Sequence, residues 1–115
     1  MQLIGFYLLS KNIPAMVDFY TKVLRAEATG EGNHIVINLP GGKGGFPIWD
    51  NGEVSDVINE RAVLWFSVDN VDDEYNILLN MNARILEPPA NTPWGARAMV
   101  FCDPDGNRVS FITPN

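Results

Sequence analysis

FCDPDGNRVSFITPN, residues 101–115, sets an Asp-Gly turn between two apolar runs. Such a turn, flanked by alternating apolar residues, predicts two strands joined by a short connection. The turn is either a connection only or part of a functional site. The residue that decides between these two roles is Ser110, three positions past the turn.

Together with this stretch, the second half of the chain predicts a strand, a helix and three further strands. The first strand is RAVLWFSVDN at 61–70, and the helix is VDDEYNILLNM at 71–81. Asn70 or Asp69 caps this helix, and the acidic residues of its first turn suit the helix dipole. The strands that follow the helix are ARILEP, GARAMVFCD and NRVSFITP.

The first half of the chain has the same order of elements. QLIGFYLL at 2–9 predicts a strand, and SKNIPAMVDFYTKVL at 10–24 predicts a helix with Asn12 as its cap. Three strands follow, two of them around residues 30–33 and the third in GGFPIWDNG. Because a strand-helix-three-strand unit occurs twice, the sequence predicts one α+β domain, with module one at about 1–52 and module two at about 60–115.

Composition excludes several classes of protein. The 115 residues are 46% hydrophobic, which is enough for one compact domain. No run approaches the ~20 apolar residues of a membrane span, and the first residues lack a basic leader. The formal charge is -6 without a basic stripe, so we expect no nucleic acid and no membrane as partner. The single Cys102 forms no internal disulfide, which favours a cytoplasmic location.

Three motifs that often carry chemistry lack the surroundings they need. GGKGG at 41–45 is not followed by Ser or Thr and a helix, so it predicts a hairpin loop rather than a phosphate-binding loop. Cys102 adjoins Asp103, whose charge disfavours the thiolate, so a buried strand residue is favoured over a nucleophile. With one His and no nucleophile elbow, the chain does not predict serine-type hydrolysis.

The one histidine, His34, lies in NHIVINL and shares a strand face with Val36 and Asn38. That face is half polar, so both a surface and a cavity position are open. A zinc site assembles three or four ligands, mostly nitrogen or sulfur, and this chain has one His and one Cys to offer. Its carboxylates lack ligand-loop spacing, so the sequence predicts no metal and no other cofactor.

Four aromatic residues lie on predicted strands or in the NTPWGAR loop rather than on the apolar faces of the predicted helices: Tyr7, Trp49, Trp65 and Trp94. Aromatic side chains suit both a core and a ligand-binding surface. Alternation along VLWFSV places Leu64 and Phe66 on the face that the helix covers. Trp65 therefore projects to the opposite face with Val63, as Tyr7 does with Gly5 in the first unit.

Three stretches resemble the vicinal oxygen chelate superfamily, the group of glyoxalases, bleomycin resistance proteins and extradiol dioxygenases: DFYTKVL, FSVDNVDDEYNIL and PPANTPWGARAMVFCDPDGNRVSF. The resemblance spans nearly the whole chain and is most specific in the last stretch. It implies two paired βαβββ modules whose sheets curl into an open cleft, with the helices on the outer face. It also implies a homodimer, since related sheets complete their clefts across a partner.

Metal-dependent members of that superfamily carry ligands on the first strand of each module and on the last strand, commonly His or Gln, His, and Glu. The matching positions here are Gly5, Val63 and Ser110. Gly has no side chain, Val has no lone pair, and a neutral Ser hydroxyl is a weak ligand. The resemblance therefore implies the metal-free, bleomycin-resistance-like branch, in which aromatic side chains hold a ligand.

We therefore expect a metal-free protein that binds or sequesters a planar or cationic small molecule, such as an antibiotic or another xenobiotic, and assign no catalytic residue. The expected ligand-binding residues are Gly5, Tyr7, Trp49, Val63, Trp65, Trp94 and Ser110. Two alternatives stay open. One is a metal-dependent lyase, isomerase or dioxygenase with ligands drawn from His34 and acidic residues. The other is a ligand-sensing or interaction module.

Overall fold

A computed structural model describes residues 1–56 and 61–114. The fold is α+β and contains the expected strand-helix-three-strand unit twice. The chain divides into two compact units, residues 1–57 and 58–115. The start of the second module at residue 60 and its end at 115 lie outside the described residues. Neither helix of the described part is long and apolar enough to cross a membrane.

The elements of unit one are β1 Leu8–Leu9, α1 Ile13–Val23, β2 Glu27–Glu31, β3 His34–Asn38 and β4 Gly45–Trp49. The strands form a four-stranded sheet in the order β1-β4-β3-β2, in which β1 and β4 are parallel and the other pairs antiparallel. Helix α1 contacts the three longer strands β2, β3 and β4. Tyr20 of α1 meets Phe46 of β4 edge to face with ring centroids 5.2 Å apart, and both side chains are buried.

Two expectations for unit one were wrong in detail. The first strand has two residues rather than eight, because only Leu8 and Leu9 find partners on β4. Asn12 takes the N-cap position of α1, but its side chain caps no N–H group. Instead its own backbone N–H donates to the Ser10 hydroxyl at 2.9 Å.

Residues 40–42, at the start of the predicted 41–45 hairpin loop, form a short 3-10 turn.

The elements of unit two are β5 Val63–Ser67, α2 Val71–Asn80, β6 Arg84–Asn91, β7 Ala96–Cys102 and β8 Arg108–Pro114. The strands form a four-stranded sheet in the order β5-β8-β7-β6, again with the first and last strands parallel. Of the two predicted caps of helix α2, Asn70 is the one observed, since its side chain accepts a hydrogen bond from the Asp73 N–H at 3.1 Å. The Thr113 hydroxyl accepts from the Val71 N–H at 3.1 Å and so ties the helix to β8.

An ion pair fastens the start of α2 to β7. The Arg97 guanidinium donates to both carboxylate oxygens of Asp72, at 2.6 and 2.9 Å, and also to the Asn91 side chain at 3.1 Å. The hydrogen bond from Arg97 lowers the pKa of Asp72 below its usual value. The same bond raises the pKa of Arg97, so the pair stays ionised at neutral pH.

The connection between β7 and β8 is organised by a buried carboxylate rather than by a two-residue Asp-Gly turn. Asp103 is 5% exposed. One of its oxygens accepts from the N–H groups of Asp105 and Asn107 at 3.0 and 2.9 Å, and the other accepts from the Asn107 side chain at 2.9 Å. Gly106 has φ +88°, a conformation that side chains disfavour. The five-residue loop is therefore a scaffold feature in its own right.

Replacing Asp103 should destabilise unit two. Asp103→Ala removes three accepted hydrogen bonds from a buried loop, so we expect about 2–3 kcal/mol less unfolding free energy in urea titrations. Asp105→Ala is the matched control, because Asp105 contributes only its backbone N–H to this network. Its loss should stay within about 0.5 kcal/mol. Equal losses for the two variants would show that the Asp103 carboxylate does not hold the loop.

In unit two, the face of the sheet on which an aromatic side chain lies predicts how much unfolding free energy is lost when that residue is replaced by Ala. Phe111 is 1% exposed on the side facing α2, and Phe111→Ala should cost about 3–5 kcal/mol of unfolding free energy. Trp65 lies on the other side of the sheet, and Trp65→Ala should cost less than about 1 kcal/mol. Phe66 shares the side of Phe111 but is half-buried, so it is the less stringent test. A Trp65 variant as unstable as the Phe111 variant would make Trp65 a core residue.

Candidate functional site

Each sheet has one face covered by its helix and one face turned away from it, here called the helix-distal face. Strand register defines this face in unit two, because partners directly opposite each other share a side of the sheet. The two middle rows run across β5, β8, β7 and β6. They consist of Val63, Arg108, Cys102 and Arg84, and of Trp65, Ser110, Val100 and Glu87.

Two tryptophans dominate the helix-distal face of unit two. Trp65 is 66% exposed and Trp94 is 63% exposed. Their ring centroids are 6.4 Å apart at an interplanar angle of 85°, an edge-to-face arrangement. Together they offer two large indole surfaces that no side chain of the described part buries. Such surfaces are suited to stacking against a planar molecule.

The loop between β6 and β7 holds Trp94 in place. Thr92 donates its N–H to the Ala96 carbonyl at 2.8 Å, and its hydroxyl accepts from the Ala96 N–H at 3.0 Å. Gly95 adopts φ +88°, which lets the chain turn directly after Trp94. The position of Trp94 therefore follows from backbone hydrogen bonds rather than from packing of its own side chain.

Val63 and Ser110 flank the tryptophan pair. Val63 is 49% exposed, and Ser110 is half-buried on the strand beside Trp65. The Ser110 hydroxyl supplies a donor and an acceptor between the indole of Trp65 and the aliphatic Val100. Four of the seven expected site residues thus lie on one surface of unit two.

In unit one, a second aromatic group lies on the helix-distal face. Tyr7 is 56% exposed, and its ring centroid is 5.9 Å from that of the half-buried Trp49. On the other side of Trp49 lies His34, at 6.0 Å between centroids. Register explains the order, since Leu9, Trp49, His34 and Glu31 are successive cross-strand partners. His34, which the sequence suggests only as a ligand in the metal-dependent alternative, belongs to this group.

Gly5 lies in the segment before β1, outside the sheet of unit one. A side chain there would meet no atom within 4 Å, although its φ of +150° disfavours one. Of the seven expected residues, four therefore lie on the sheet surface of unit two, two lie in the aromatic group of unit one, and Gly5 lies in the segment before β1. Their assignment as ligand-binding residues stays a prediction.

The residues at the implied metal positions do not fit a metal centre. Gly5 has no side chain, Val63 offers only methyl groups, and Ser110 offers one neutral hydroxyl. Within residues 1–56 and 61–114, no three His, Cys, Asp or Glu side chains lie close enough together to hold a metal ion. Cys102, the one thiol, is buried.

Three charged residues on the helix-distal face of unit two were not predicted from the sequence: Arg84, Arg108 and Glu87. The side of the sheet on which Arg108 lies could have been predicted from the sequence, because Arg108 is two residues from Ser110 on the same strand. The side of Glu87 could not have been predicted, because β6 has register shifts between Ile85 and Glu87 and again before Ala90. Such bulges break the alternation on which a sequence-based assignment depends.

Comparisons with known proteins agree with this architecture. A family model described as the Glyoxalase/Bleomycin resistance protein/Dioxygenase superfamily matches residues 4–111. The chain belongs to this superfamily. Among curated proteins, none matches the chain.

Solved structures share the fold along the whole chain. A protein of unknown function from Agrobacterium tumefaciens is 18% identical, with 100% of this chain and 95% of that chain covered and a TM-score of 0.81. A superfamily member from Sphaerobacter thermophilus is 21% identical, with coverage of 96% and 98% and a TM-score of 0.73. TioX from Micromonospora is 21% identical, with coverage of 96% and 100% and a TM-score of 0.74. At these identities the likeness shows the fold alone.

Proposed function

We propose that the protein is a metal-independent member of its superfamily that binds a planar small molecule against the helix-distal face of unit two. The observation that carries this proposal is the exposed edge-to-face pair of Trp65 and Trp94. Val63 extends the apolar surface, and Ser110 adds one polar group for orientation. A mostly apolar surface with few polar groups is typical of small-molecule sites.

The energetics favour a stacked ligand. Burying apolar area contributes roughly 25 cal/mol per Å², and an aromatic pair adds about 0.5–1.5 kcal/mol beyond that. Two indoles held at a fixed angle need little further ordering, because Trp has only two side-chain torsions. A flat ring placed on Trp65 therefore gains contact with one indole face and one indole edge.

We assign the same kind of role to Tyr7 and Trp49 in unit one. Trp49 is held between Tyr7 and His34, so its ring is the fixed member of that group. The formal charge of -6 favours the approach of cationic molecules from a distance. Sequestration of an antibiotic or another xenobiotic is the form of this function that we propose.

Exposed aromatic side chains also suit contact with another protein, which keeps an interaction module as the second candidate. The observation in its favour is the same pair of tryptophans, since Trp is enriched at the centres of protein interfaces. Metal-dependent catalysis has less support, because Gly5 and Val63 offer no side-chain ligand atom and Ser110 offers only a neutral hydroxyl. A homodimer is part of the proposal, as is a cytoplasmic location.

Removing Trp65 should weaken binding of an aromatic probe. The probe is naphthylmethanol, a neutral planar alcohol, and the signals are the three indole N–H resonances in nitrogen–proton correlation spectra. We expect the Trp65 and Trp94 resonances to shift, and Trp65→Ala to raise Kd about threefold to tenfold through loss of stacking.

Leu79→Ala is the matched control, because Leu79 is an exposed apolar residue on α2 rather than on the helix-distal face. Its Kd should equal that of the unaltered protein. Unchanged affinity in Trp65→Ala, or an equal loss in both variants, would remove the proposed site.

Native mass spectrometry tests metal content and subunit number together. We expect a mass of two chains with no stoichiometric zinc, iron, nickel or manganese. About one tightly bound transition metal per chain, lost on treatment with a chelator, would contradict metal independence. A monomer at micromolar concentration would contradict the homodimer while leaving the binding proposal intact.

A further inference from the structure

We propose that Arg84 and Arg108 form an anion-binding site on the helix-distal face of unit two, so that the ligand is an aromatic molecule with a carboxylate or phosphate group. This inference rests on the proposed binding function and specifies the charge of the ligand. It assigns a role to two residues that the proposed function leaves unused.

Strand register brings the two arginines to the same row of the sheet. Arg108 on β8 is opposite Cys102 on β7, and Cys102 is opposite Arg84 on β6. Two strand spacings separate their backbones by about 10 Å. The residue between them is small and buried. Because the Cys102 side chain between them is short, the long side chains of Arg84 and Arg108 are able to direct their guanidinium groups toward one anion.

Neither guanidinium is engaged by the described part of the protein. Arg84 is exposed and Arg108 half-buried, and neither makes an ion pair or side-chain hydrogen bond within residues 1–56 and 61–114. Arg97, by contrast, holds Asp72 with two hydrogen bonds. Acidic residues outnumber basic ones by fourteen to eight, so partners are abundant in this chain. Among the residues that the structure describes, these two arginines on one face have no partner, so their guanidinium groups are available to a ligand.

In the strand register, the charged residue of the helix-distal face that lies nearest to Trp65 is Arg108, which is positive. Arg108 precedes Ser110 by two residues on β8, and Ser110 is the direct partner of Trp65. Diagonal neighbours of this kind are within reach of long side chains. The acid Glu87 is three strands away from Trp65, at the far edge of the sheet. In this register, a ring stacked on Trp65 thus has Arg108 closer to its substituent than Glu87.

For a ligand at contact distance, the positive charges of Arg84 and Arg108 have a stronger effect than the negative net charge of the whole chain. Exposed charges are screened over roughly 8 Å at physiological ionic strength, so the net charge of the whole chain acts mainly during approach. A guanidinium binds carboxylate or phosphate oxygens through paired N–H donors, and such charge-assisted bonds are about twice as strong as neutral ones. The Ser110 hydroxyl supplies one more donor on the adjacent row.

The test compares probes that share one ring and differ in charge: naphthoate, naphthyl phosphate, naphthylmethanol and naphthylmethylammonium. In the unaltered protein, we expect naphthoate or naphthyl phosphate to bind about five- to tenfold more tightly than the alcohol, and the ammonium probe to bind less tightly than the alcohol. The tighter of the two anions identifies the preferred group.

Arg84→Gln and Arg108→Gln should each reduce the affinity for the anionic probes about threefold to tenfold, and the double variant should bind anion and alcohol equally. Affinity for the alcohol should not change, which separates loss of charge recognition from loss of the surface. Arg108→Lys should recover part of the anion affinity. Lys43→Gln, the same charge change in the 41–45 loop of unit one, is the control and should leave all affinities unchanged. Equal urea midpoints confirm that the variants fold.

Two results overturn the inference alone: equal affinity for all charges, or tighter binding of the ammonium probe, each with binding still lost in Trp65→Ala. An anion preference that survives in the double arginine variant also overturns it. If no probe shifts the Trp65 indole resonance, the proposed binding function fails and this inference fails with it.

Discussion

Parallel pairing of the first and last strands of each unit is the constraint on which the rest of the structure depends. Parallel neighbours cannot be joined by a hairpin, so the chain leaves β1 or β5 through a helix and returns through two antiparallel strands. The helix packs on one face of the sheet only. The other face keeps its alternate side chains free of the helix, and in unit two these include Trp65, Ser110 and Arg108.

The buried carboxylate of Asp103 fixes which side chains share that face. Its three accepted hydrogen bonds set the five-residue reversal between β7 and β8. The reversal in turn sets the pairing of Val100 with Ser110 and of Cys102 with Arg108. A slip of one residue would move every side chain of β8 to the opposite face. The loop supplies none of the residues of the candidate site, yet the rows of that site depend on it.

Much of the fold could be predicted from the sequence, because parity and helix caps are local properties. The start of α2, with a cap predicted at Asn70 or Asp69, and the opposite sides of Trp65 and Phe66 follow from adjacent residues alone. The length of β1 could not be predicted, because it depends on how far β4 extends beside it. The side of Glu87 was equally hidden, since two bulges in β6 reset the alternation. In the candidate site, the aromatic residues could be identified as candidates from their residue type alone. By contrast, placing Arg84 and Arg108 in one row requires knowing which strands pair, and those strands are distant in the sequence.

Arginine in this chain illustrates why position on a sheet decides the role of a charge. Arg97 and Arg108 lie on neighbouring strands, β7 and β8. Arg97 points toward α2, where Asp72 in the first helical turn satisfies it, and the pair stabilises the helix against the sheet. Arg108 belongs to the opposite face of the sheet, where no residue of the described part pairs with it. The same type of side chain therefore has its partner built into the fold on one face, whereas on the other face it is a residue that we propose to bind an anion.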